Sequence, residues 1–196
     1  MPSKPALHLA LDDSADALLS RDPFALLVGM LLDQQIPMER AFGGPAVIAE
    51  RMGTPKRLDP QLIAETDPDE FAKVMSGPPA VHRFPGSMGK RVQALAAVIA
   101  DEYDGDAASI WADVPDGKTL VKRLQALPGF GTQKAKIFAA LLGKQLNVQP
   151  TGWRAATGDY GKAGSHRSIA DVTGPESLAK VRAFKQAMKQ AAKDGK

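Results

Sequence analysis

The segment 23–35, PFALLVGMLLDQQ, is apolar around nearly its whole circumference until Asp33. A helix with no polar face cannot sit on a surface, so the rest of the chain has to be built around this one. Elsewhere apolar residues recur at spacings of three and four, and no long stretch alternates or is rich in β-branched residues, so the expected fold class is all-α. DPQLIAET and DPDEFAKVM each open with Asp–Pro, a helix N-cap followed by the residue best tolerated at the first helical position. They predict two short helices beginning at Asp59 and Asp67.

The segment 77–89, GPPAVHRFPGSMG, is expected to be a loop, with the long helix KRVQALAAVIADEY after it. Helices are then expected over DAASIWADV, KTLVKRLQAL and TQKAKIFAALLG, a loop over 144–168, and a final helix over about 175–193. With no internal repeat and no long flexible linker, residues 1–196 read as a single domain.

The chain has no cysteine, which excludes disulfides, thiolate zinc sites and a cysteine-ligated iron–sulfur cluster. The first residues lack the basic-then-apolar layout of a signal peptide, and no apolar run reaches the roughly 20 residues needed to span a bilayer. The expectation is therefore a cytoplasmic protein without membrane contact. The net charge of +3 hides a strong polarity: residues 1–117 carry 10 Lys+Arg against 18 Asp+Glu, and residues 118–196 carry 15 against 4. Either a polyanion binds the second part, or its excess belongs to a solvated lysine-rich terminal helix.

LPGFGTQKAKI, residues 127–137, joins two amphipathic segments. Glycines at 129 and 131 permit a positive φ and leave room for another backbone to approach. The free N–H groups of Gly131, Thr132 and Gln133 then lie at the positive end of a helix dipole, suited to a phosphate oxygen, with Lys134 and Lys136 adding charge. The same spacing also fits an ordinary αα-hairpin.

LPGFGTQKAKIFAALLG resembles the helix-hairpin-helix signature of the HhH-GPD superfamily of base-excision DNA glycosylases. Upstream, FALLVGMLLDQQIPMERA is similar to that superfamily's first core helix and its Gln-Gln element, and HRFPGSMGKRVQALAAVI to its following loop and helix. The resemblance covers roughly residues 22–153. It implies two helical lobes, the first over about 22–117 and the hairpin over about 118–143, with a cleft for double-stranded DNA between them. It further implies a monomer that needs no cofactor, with a monovalent cation admissible at the hairpin and no other metal. Gly129, Phe130, Gly131, Thr132, Gln133, Lys134 and Lys136 become the DNA-binding set. Gln35, with Gln34 beside it, becomes the wedge that fills the gap left by a flipped nucleotide, offsetting part of the few kcal/mol that extrusion costs. His82 and Phe84 are placed against the flipped base, with Trp153 lining the same pocket.

The resemblance fails at the acid. The family's aspartate, which stabilises a sugar cation, falls in NVQPTGW on Pro150, and a shift by one residue gives Gln149. Proline there suits the first position of a helix. Asp33, at the end of the apolar helix, is the leading substitute, ahead of Glu39 and Asp159. The family's Schiff-base lysine position is Gln133, with Lys134 about 100° further round the helix, so no lyase is expected. Three functions stay open: a monofunctional N-glycosylase, a non-catalytic damage sensor, and a helical protein-interaction module.

Overall fold

The computed structural model describes residues 6–195, and their regular secondary structure is helical apart from one isolated β-bridge between Asp116 and Thr151. Among the described residues, no helix is long and apolar enough to cross a membrane. The α-helices are α1 (Asp13–Arg21), α2 (Pro23–Leu32), α3 (Met38–Arg51), α4 (Pro60–Glu65), α5 (Pro68–Ser76), α6 (Pro85–Glu102), α7 (Gly117–Gln125), α8 (Thr132–Gln145), α9 (Trp153–Thr157) and α10 (Pro175–Asp194).

Helix α2 is the buried axle that its composition demands: every residue from Phe24 to Leu32 is buried. Asp22 starts it, accepting from the amides of Phe24 and Ala25 with one carboxylate oxygen and from Leu58 with the other, 2.7 Å away, which ties the loop before α4 to the same point. Helices α1, α3 and α6 pack on α2, and α4 and α5 pack on α6. A second set follows, with α7, α9 and the 3-10 turn Ile169–Asp171 packed on α8 and α10 on that turn. Asp59 and Asp67 cap α4 and α5 as their Asp–Pro sequences dictate.

Three boundaries differ from the sequence expectation. Helix α6 begins at Pro85, because a proline at the first position needs no N–H partner and carries the chain into helix through Gly86 and Gly89. DAASIWADV forms only the 3-10 turn Ala107–Ile110, capped by Asp106. The stretch expected as loop over 144–168 contains α9, whose N-cap is Gly152 with φ 72°, so Pro150 lies before the helix rather than at its first position.

Candidate functional site

The hairpin glycines have different jobs. Gly129 has φ 81°, and a Cβ there would lie 2.3 Å from Leu31 Cδ1, so the turn both needs left-handed backbone and presses on α2. Gly131 has φ −76° and open space around it, so the positive φ that a glycine permits is not used there. It is the N-cap of α8, and Gly131, Thr132 and Gln133 are all exposed there. Phe130, expected at the DNA, is 3% exposed and packs edge-on against Phe138, because the tip of the turn is pinned by an apolar anchor.

Lys134 departs most from its expected place. Its side chain turns inward, where Nζ donates to the carbonyl of Met30 at 2.7 Å and to that of Leu31 at 3.4 Å. These are last-turn carbonyls of α2 without an i+4 helix bond; the Met30 oxygen also accepts from the Asp33 amide and the Leu31 oxygen from Gln34 Nε2, and at the helix's negative dipole end an ammonium is favoured. Lys136 is partly buried on the same helix.

A pocket of about 200 Å³ opens beside that ammonium, lined by Met30, Asp33, Gln133, Lys134, Ile137, Ser168, Ile169 and Lys185. It lies where the end of α2 faces α8, the Ile169–Asp171 turn and α10. Burial pushes the Asp33 carboxyl above its ordinary 3.8; Lys185 and Lys134 pull it back, and Glu39 adds to the rise. Burial likewise pulls the Lys134 amine below its usual value, aided by Arg91 and opposed by Asp33. An acid and a base held away from their normal strengths in one recess are the ingredients of proton transfer and charge stabilisation.

Of the two glutamines, only Gln35 reaches out. Gln34 is engaged by the chain, donating from Nε2 to the Leu31 carbonyl and accepting from Arg91. Gln35 is exposed, with φ 59°. His82, expected at a flipped base, is 1% exposed and holds this loop from behind: Nδ1 accepts from the Phe84 amide at 3.0 Å, so Nε2 carries the proton and donates to the Gln34 carbonyl at 2.9 Å. Burial lowers its pKa, in keeping with a neutral ring. Phe84 is 43% exposed beside it, with the Arg83 guanidinium 5.4 Å from the ring centre.

Trp153 is a core residue, not a lining one. A Cβ on Gly117 would meet its backbone at 2.5 Å and one on Gly143 its ring at 2.5 Å, so the two glycines admit it between α7 and α8. Pro150 is likewise absent from the pocket. Asp159 pairs instead with Lys162 at 2.7 Å.

Sequence reasoning missed Lys185 and Ser168, which lie far along the chain from the hairpin. The only signal for Lys185 was its place in the basic terminal helix. No family model, curated protein or solved structure matches this chain.

Proposed function

We propose that the chain is a DNA-binding base-excision protein of the HhH-GPD type, in which Asp33 does the work of the missing family aspartate. The observation that carries this reading is the shared pocket of Asp33 and Lys134 between an exposed Gln35 and an exposed α8 N-terminus. Duplex DNA held at the hairpin amides would be bent over Gln35, and the extruded nucleotide would enter the recess. As the bond from C1′ to the base nitrogen breaks, its electrons leave with the base and positive charge grows on the sugar. The Asp33 carboxylate stabilises that charge while water adds to C1′ and loses a proton.

The test is incubation with duplexes carrying uracil, alkylated purines, hypoxanthine or oxidised bases, then alkali to cut at abasic sites. Cleavage of one of these, lowered about a hundredfold or more by Asp33→Asn, supports the glycosylase. Tight lesion binding without release points to the damage sensor.

The inward amine of Lys134 favours a second reading in which the same pocket also forms a Schiff base with an abasic sugar aldehyde, expelling water. Borohydride would trap that adduct on the parent and not on Lys134→Met.

A further inference from the structure

Helix α10 is attached at one end only. Leu178 and Val181 are its buried residues, the Arg167 guanidinium sits 4.7 Å from the Phe184 ring centre, and Arg182 reaches both Glu39 carboxylate oxygens on α3, at 2.6 and 2.7 Å. Lys185 then lines the pocket, and every residue from Lys185 to Asp194 is exposed.

At 100° per residue, Lys185 and Lys189 both fall within roughly 20° of Leu178 around the helix, with Arg182 and Lys193 within about 60°. The stripe that is apolar where α10 meets the body is thus cationic where it leaves it. Both acidic residues of α10, Glu176 and Asp194, lie about 160° away on the opposite face, where Glu176 pairs with Lys180 at 3.0 Å and Asp194 accepts from Gln190. Charges placed only to keep a helix soluble would be mixed in sign all round it; here the body-side face holds one sign alone.

We infer that Lys185, Lys189 and Lys193 form a rail for the sugar–phosphate backbone of the DNA whose nucleotide enters the pocket, an inference that rests on the proposed DNA reading. Successive lysines are four residues apart, a rise of about 6 Å. Phosphates of one B-form strand advance by roughly 3.4 Å each along the duplex axis and, because they also wind around it, lie farther apart than that along the strand itself, so the three amines can follow neighbouring phosphates. The first of them stands at the pocket, which gives the rail its direction: it leads away from the reacting nucleotide along the flanking duplex.

The experiment measures duplex affinity against salt concentration for the full chain, for Lys189→Gln/Lys193→Gln, and for Lys180→Gln on the far face. Helix content is followed by circular dichroism. The double variant is expected to lose about 1.8 from the slope of log affinity on log salt, roughly 0.9 per lost phosphate contact, at unchanged helix content, with Lys180→Gln matching the parent. An unchanged slope in the double variant, or an equal loss in Lys180→Gln, overturns the rail while leaving the DNA reading in place. Stronger binding of the parent to anionic vesicles than to duplex overturns the rail as well. A parent that binds no duplex at any salt removes both together. Binding without base release leaves the rail standing and removes only the glycosylase.

Discussion

Helix α8 carries a lysine buried to some degree near each end, and the two are in opposite circumstances. At the far end Lys144 Nζ lies 2.5 Å from Asp171 and 3.1 Å from the Ser165 hydroxyl, and the second Asp171 oxygen accepts from Ser165 and from the Arg167 amide. Ser168 and Asp171 close a capping box around the same point. At the near end Lys134 has backbone carbonyls and a carboxylate in its neighbourhood but no ion pair in contact, and it faces a pocket. The pair with every group satisfied braces the turn that supports α10. The incompletely neutralised group is the one left available for a ligand, since buried charge without a full set of partners is retained at a cost in stability.

The sharpest way to break this contrast is Asp171→Ala. It strands the Lys144 ammonium, and removing one partner of a buried pair costs about 3–5 kcal/mol, read from the urea midpoint. A loss below about 1 kcal/mol would make the far end no more structural than the near one.

Asp33→Asn should act the other way. Excision is expected to fall by about a hundredfold or more, roughly 2.7 kcal/mol of transition-state stabilisation. Stability, in contrast, should rise. The folded-state pKa of Asp33 is raised, so the native protein binds more protons than the unfolded chain between 3.8 and the raised value. Stability contributed by this group is therefore lost as pH climbs through that window, and the asparagine avoids the loss. The gain should be visible at pH 7 and vanish below 3.8, and a variant less stable than the parent at pH 7 would place Asp33 among the structural residues. For the same reason excision should decline on the acid side at a higher pH than an ordinary carboxylate would give.

The two glycines before α8 sharpen the comparison further. Gly129→Ala is expected to cost about 1–3 kcal/mol through its left-handed backbone and the contact with Leu31. Gly131→Ala, with φ −76° and free space, should cost less, up to about 1 kcal/mol, because alanine is the poorer N-cap. Duplex affinity is informative for the second variant alone, because its fold is unperturbed.

The smallest effect belongs to His82. Its lowered pKa means that the unfolded chain takes up the proton first, so stability falls as pH drops below 6.5. His82→Ala should be less stable at pH 8 yet flatten that acid slope, and a slope unchanged by the substitution would assign it to another group.

Much of this was legible in the chain. The all-round apolar segment dictated a central helix, the Asp–Pro pairs dictated two helix starts, and the glycine turn between amphipathic runs dictated a hairpin. Asp33, the C-cap that ends α2, stands out as a candidate acid for the same reason, and it lines the pocket. The direction of Lys134 was not legible. A four-carbon stem lets an amine near a helix start reach either outward or back across to the end of a neighbouring helix, and the choice rests on the last-turn carbonyls of Met30 and Leu31. His82 and Trp153 misled for a related reason: their types suit a base pocket, but what buried them was the Gln34 carbonyl in one case and two distant glycines in the other. Lys185 reaches the pocket only through the packing of Leu178 and Val181, which no local pattern encodes as proximity to Asp33.

Gln35 holds its side chain out on a left-handed backbone. That conformation sets which mutations selection can sample there. Glycine, asparagine and aspartate enter at little backbone cost, whereas valine, isoleucine and threonine are opposed by their branched Cβ whatever their merit against a base pair. Position 35 is thus free to drift among short polar side chains but closed to a β-branched apolar one unless the turn changes first, so a library randomised at position 35 alone would explore a far narrower chemistry than its codons suggest.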